Sequence, residues 1–139
     1  MSYSQRSPAA VLAQPGEIRR IIRDGDPETL VDCAERIGKS LNDVRLTTAQ
    51  IRGIFGRVRQ IEMSWRIGEP SDDAQSWYQV KMLQPKLAYQ AGRGQPGVKQ
   101  LEAVIKPAIL EIEGKRDRFQ HFVDFFEAIL AYHKAAGGK

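Results

Sequence analysis

The sequence predicts an all-α fold, a compact single-domain helical bundle of about five to six helices. Apolar residues recur every three to four positions along most of the chain, the period of a helix with one buried face. Each periodic run is bounded by capping residues or by glycine and proline, and none alternates apolar and polar as a half-buried strand would. A chain of 139 residues buries one core but not two, so no second domain is expected.

Residues 1–15, rich in Ser, Gln, Pro and Ala without a clear period, are expected to form a mobile arm, and residues 16–139 the bundle. Glu17 to Arg23 suits a short helix closed by Asp24-Gly25. Asp26-Pro27 opens a second, with Asp as N-cap and Pro at the first helical position. Leu30, Val31, Ala34, Ile37 and Leu41 supply its apolar face.

The third helix is the best signalled. Thr47 and Gln50 stand at capping-box spacing, ahead of a stripe of Ile51, Ile54, Phe55, Val58, Ile61 and Trp65. Gly68-Glu69-Pro70 stops it, and Ser71-Asp72-Asp73 starts a fourth that ends at Gly92, a natural C′ residue. Pro85 lacks an N–H and must kink or divide that fourth helix. Opposite its Val80, Leu83 and Leu87 runs a second stripe of Tyr78, Met82 and Tyr89. Such a helix is either fully buried or covered by another subunit; burial is expected here, with Tyr89 facing the core.

Gly92 to Gly97 reads as a loop of cap and turn glycines. Val98, Leu101, Ile105, Ala108, Ile109 and Ile112 mark a further helix interrupted by Pro107, and Gly114-Lys115 breaks to the last one. The final helix carries Phe119, Phe122, Val123, Phe125, Phe126, Ile129, Leu130 and Tyr132. These cover about half its circumference, which suits the centre of a bundle, or a bundle plus a partner surface.

A net charge of +4 and a pI near 9.4 favour a polyanionic partner. The single Cys33 excludes an intrachain disulfide and reads as a small core residue. No run reaches the ~18 apolar residues of a membrane span. No apolar stretch follows Arg6 as in a signal peptide, so a cytoplasmic protein is expected.

Catalysis has little to stand on. His121 and His133 are the only histidines and lie twelve apart, so neither His-Glu-x-x-His nor an i, i+4 metal pair exists. His133 falls on an apolar helix face as a core histidine, and His121 nearer the edge as a surface one. Asp24/Asp26 and Asp72/Asp73 sit at helix starts, where capping and the macrodipole account for them. Gly92, Gly94 and Gly97 lack the Gly-Lys-Ser/Thr and the preceding strand of a phosphate loop. No Ser–His–Asp or Cys–His set can be assembled, and neither enzyme activity, metal nor cofactor is expected.

The arginines are more informative. Arg45, Arg52, Arg59 and Arg66 recur every seven residues, the last three on one helix. Seven residues is nearly two turns, so these side chains project within about 40° of one another at ~10.5 Å intervals. Two readings stay open, a solvated helix face and a row of guanidinium groups bonding successive phosphates. Glu62 is the only acid near the middle of that helix, which leaves the row little neutralised. Lys81, Lys86, Arg93 and Lys99 add charge around the next helix, at whose end Tyr89, Gln90 and Arg93 are placed to meet a base or sugar.

Three segments in fixed order carry a resemblance: Leu46-Thr47-Thr48-Ala49-Gln50-Ile51-Arg52, Leu87-Ala88-Tyr89-Gln90-Ala91-Gly92-Arg93, and the apolar last helix through Ala131-Tyr132-His133-Lys134 to Gly137-Gly138-Lys139. Together they resemble the small helical subunit of the type III-A CRISPR–Csm effector complex, over Leu46 to Lys139. The Gly94-Gln95-Pro96-Gly97 stretch departs from that pattern. The resemblance implies a non-catalytic subunit that stacks with copies of itself along the crRNA–target RNA in antiviral defence. Its further implied partners are the backbone and large subunits. It would hold the RNA backbone without sequence specificity, since guide pairing supplies that. Arg52 and Arg93 fall inside the matching motifs and Lys86, Lys134 and Lys139 in or beside them; with Arg59, placed by helix geometry, these are the expected RNA-binding residues. A helical protein–protein adaptor without RNA contact is the alternative.

Overall fold

The computed structural model describes residues 12–67, 73–93 and 96–138. Of the expected arm, residues 1–11 lie outside the described residues. Among the described residues seven α-helices follow one another: α1 (Pro15–Ile22), α2 (Pro27–Asp43), α3 (Thr48–Ile67), α4 (Asp73–Lys81), α5 (Leu83–Ala91), α6 (Pro96–Leu110) and α7 (Arg116–Ala135). The described residues contain no strand. Counting α4 and α5 as one divided helix gives six.

Local chemistry sets the helix ends. Asp26 caps α2, its Oδ1 accepting from the Glu28 amide at 3.3 Å and its Oδ2 from the Thr29 hydroxyl at 2.6 Å. The capping box of α3 is reciprocal: the Thr47 amide donates to Gln50 Oε1 at 2.8 Å, and the Gln50 amide to Thr47 Oγ1 at 3.1 Å. Pro85 divides its helix as expected, and the position of the break has a physical cause. The missing Pro85 N–H would have served the Lys81 carbonyl, and α4 ends at Lys81. Met82 bridges the two pieces with right-handed dihedrals of φ −71° and ψ −11°.

Two glycines play other parts than the sequence suggests. Gly92 caps α5 at φ −69° rather than in the left-handed region. Gly97 is not a turn residue but lies inside α6, where an added Cβ would stand 2.8 Å from Leu46 Cβ. Its tertiary contact, not a loop, demands the missing side chain.

The core forms around α7, which packs most extensively on α2 and next on α3, and more lightly on α1 and α6. Phe119, Phe122, Val123, Phe125, Phe126 and Ile129 are all buried. Burial of each such side chain is worth about 1.5–3 kcal/mol. Antiparallel pairing of α3 and α7 is recorded by ring contacts, Phe55 to Phe126 at 5.1 Å and Trp65 to Phe119 at 5.2 Å between centroids. Gly38 lets α2 approach α7 closely; a Cβ there would lie 2.7 Å from the His133 amide nitrogen.

The second stripe of the fourth helix is not buried. Tyr78 and Tyr89 are 60% and 69% exposed, and Met82 is exposed with them. The expectation fails because α4 and α5 lie at the edge of the bundle, between α3 and α6, with one face inward.

Candidate nucleic-acid interface

Ion pairs divide the molecule into two unlike ends. Where α7 begins, arginines are matched by acids: Arg23 with Glu111 at 2.6 Å, Arg118 with Glu113 at 2.8 Å and Arg116 with Asp73 at 3.1 Å. Where α7 finishes and α3 begins, Arg45, Arg52, Arg93, Lys99 and Lys134 form no ion pair with any described residue. One buried and one exposed hydrogen bond fix this end. The His133 imidazole meets the Leu46 carbonyl through Nε2, and Asn42 Nδ2 donates to the Ala136 carbonyl at 2.8 Å.

A groove runs between α3 and α4–α5 as two adjoining hollows of about 160 and 420 Å³. Gly53, Tyr89 and Gln90 line one end, Arg57 and Lys86 the part common to both hollows, and Ser64, Gln75 and Gln79 the other end. The helices therefore run antiparallel, and the same register sets Arg93 level with the first turn of α3. Among the described residues no carboxylate lines either hollow, while glutamines 60, 75, 79 and 90 supply neutral donors. A separate hollow of about 610 Å³ is different in kind, since Glu62 and Asp117 are in its wall.

The expected site residues divide between these surfaces. Lys86 is in the groove, beside Arg57, which the sevenfold arginine count passed over. Arg57 lies about 140° around α3 from Arg52 and about 160° from Arg59, on the helix's other polar edge. The signal that would have found it is a four-three-four polar run, Gly53-Arg57-Gln60-Ser64, which parallels the apolar stripe. Between the two edges, Gly53 and Gly56 leave the exposed surface of α3 bare; a Cβ on either would meet nothing within 4 Å.

Arg52 is exposed and, like Arg93 and Lys134, without an acidic partner among the described residues. Arg59 is not free. Its Nη1 donates to the buried Glu62 carboxylate at 3.0 Å, and the guanidinium carbon lies 5.7 Å from the Phe55 centroid. Glu62 also accepts from Gln120 Nε2 at 3.0 Å, so it neutralises Arg59 where a weakly neutralised row was expected. Arg45 stands outside α3 at φ 62°, in the left-handed region, and the Arg66 side chain and Lys139 lie outside the described residues.

Each histidine ring is engaged by a backbone carbonyl. His133 is fully buried, as expected of a core residue. His121 is not a free surface group: its Nδ1 donates to the Ile22 carbonyl at 2.7 Å. Asp73 is the first residue of α4, at the helix start where the sequence puts it, and its Oδ1 also accepts from Trp65 Nε1 at 2.8 Å and from Arg116. These hydrogen bonds, the indole's first, hold its carboxyl below the usual range. Burial pushes the Cys33 thiol up to about 12, with Glu17 adding to the effect. The described residues offer no group of three side chains able to hold a metal ion, and no helix among them is long and apolar enough to cross a membrane.

No curated protein and no solved structure matches the chain. The family model described as Csm2 Type III-A matches residues 24–139, from the loop before α2 to the final lysine. The chain therefore belongs to the Csm2 family, the small, structural subunit of the type III-A CRISPR effector complex.

Proposed function

We propose that this subunit binds the sugar–phosphate backbone of the crRNA–target RNA across the exposed face of α3 and the groove beside it. It does so without reading sequence, and copies of the chain stack along the RNA. One observation carries the reading: the groove holds Arg57 and Lys86, and no carboxylate lines it among the described residues. A cleft with cations and neutral donors but no acid is complementary to phosphate and unfavourable for acidic protein surfaces. Arg52, Arg93 and Lys134 extend the cationic surface to the end of the bundle where α3 begins. Arg59 contributes less, because Glu62 already engages it.

The experiment is binding of the full chain to a labelled RNA over a series of salt concentrations, beside a duplex DNA of the same length. Sequence-independent, salt-sensitive RNA binding is expected. Replacing Arg57 and Lys86 together by Glu should flatten the log–log salt slope by roughly 0.7 per lost phosphate contact on a single strand. An unchanged slope removes the groove from the interface. The adaptor alternative is favoured by one observation, the exposed Tyr78 and Met82 on α4 and at its end. It predicts assembly into the complex with no RNA crosslink to this subunit.

A further inference from the structure

Tyr89 is among the most exposed large side chains of the molecule, and its position is not that of a stray surface residue. It lines the wider hollow of the groove with Gly53, Arg57 and Lys86. One turn later on the chain, the Arg93 guanidinium lies 6.0 Å from the ring centroid, at the limit of a cation–π contact. A guanidinium can cover only one face of a ring. At 69% exposure, much of the phenol stays open to a partner. Gln90, beside it in the same lining, carries an amide able to both donate and accept.

We propose that Tyr89 is a stacking platform for an unpaired nucleobase of the bound RNA, with Arg93 at the adjoining phosphate. This rests on the backbone-binding reading and goes beyond it, since a backbone grip alone needs no exposed aromatic ring. The occupant is a base because of what surrounds the ring: two cations in the groove wall, a third over the tyrosine, and no acid among the described residues of the lining. A ligand that is at once polyanionic and planar fits both features, and single-stranded nucleic acid combines them. A base inside an A-form helix is stacked on its neighbours and has no free face, so the platform selects nucleotides that are out of the stack. Every base has such a face, so the contact adds affinity without sequence preference.

The test measures binding of the full chain to a single-stranded RNA, to the same RNA carrying abasic sites, and to a blunt RNA duplex. Tyr89→Ala should weaken binding of the ordinary single strand by roughly tenfold, within the range of one stacked base. It should leave the abasic strand and the salt slope unchanged, because no phosphate contact is lost. Tyr89→Phe, which keeps the ring, should bind as the parent does. Melting temperatures of both variants should match the parent, the side chain being outside the core. An equal loss on ordinary and abasic strands, or no loss on either, overturns the stacking assignment while the backbone reading stands. Loss of assembly into the effector complex with RNA binding intact assigns Tyr89 to a protein partner, and likewise overturns it. Failure of the parent chain to bind any of the three RNAs overturns both.

Discussion

The indole N–H of Trp65 donates to Asp73 Oδ1 at 2.8 Å, tying the buried side of α3 to the first residue of α4. Arg116 Nη2 reaches the same oxygen at 3.1 Å, so one carboxylate joins the starts of α4 and α7 to α3. Both hydrogen bonds favour the ionised acid and hold its folded pKa below the ordinary aspartate value. The linkage sign follows. A depressed folded pKa contributes stability above the unfolded value, near pH 4, and that contribution is lost as pH falls through the folded one. Asp73→Ala should therefore lower the melting temperature at pH 7, and the gap from the parent should close in acid. Thermal melts across that window check this; a gap independent of pH would mean that the ionised state is immaterial.

Much of the fold is legible in the sequence because its signals are local. The Asp26 cap, the Thr47/Gln50 box, the break forced by Pro85 and the aromatic face of α7 each depend on residues within a few positions. What escaped is tertiary. Wheel geometry fails across the division at Met82, so the inward or outward sense of Tyr78 and Tyr89 was set by packing that sequence spacing does not record. Gly97 looks like a turn glycine until Leu46, far away in the chain, is found against it. The arginine period pointed to one edge of α3, whereas Arg57 on the other edge acquires its meaning only from Lys86 on α5. Glu62 looked like one acid among arginines; its burial against Gln120 of α7 makes its pairing with Arg59 structural.

Glycines in helices of this protein should respond in opposite directions. Gly38→Ala drives a methyl to 2.7 Å from the His133 amide nitrogen and the Tyr132 Cβ, and helix backbone cannot step aside without repacking. A loss of about 1–3 kcal/mol is expected. Gly53→Ala and Gly56→Ala meet nothing and gain helix propensity, so each should raise stability by roughly 0.8–1 kcal/mol. If RNA lies along the bare face of α3, those same stabilising changes should weaken its binding. Denaturant unfolding beside RNA binding separates the two effects; tighter folding with undiminished binding removes that face from the contact.

Cys33 should be chemically silent in the native protein. It is fully buried, with its sulfur 3.0 Å from Arg36 Nη2, and burial followed by the nearby Glu17 pushes the thiol up to about 12. At pH 8 essentially no thiolate exists in the folded state, whereas an unfolded cysteine near pKa 8.5 is partly ionised. Maleimide labelling should be negligible under native conditions and complete in guanidinium. Rapid native labelling would mean that α1, whose Glu17 is held by Arg36 at 2.9 Å, opens readily from α2.

The two arginine edges of α3 make the sharpest contrast. Arg59 engages a carboxylate only 8% exposed, and its removal leaves Glu62 with one remaining partner among the described residues, Gln120. Arg59→Gln should therefore lower stability, by about 1 kcal/mol once the half-exposed arginine's screening is allowed for. Its effect on the salt dependence of RNA binding should be small, because the guanidinium is already neutralised. Arg57→Gln loses no ion pair among the described residues, so its melting temperature should match the parent's. Yet it should flatten the RNA salt slope by roughly 0.7, the contribution of one phosphate contact on a single strand. Measuring both variants by thermal melts and salt-dependent binding gives a crossed result. The reverse pattern, with Arg59 governing the slope and Arg57 the stability, would move the RNA to the α7 side of α3.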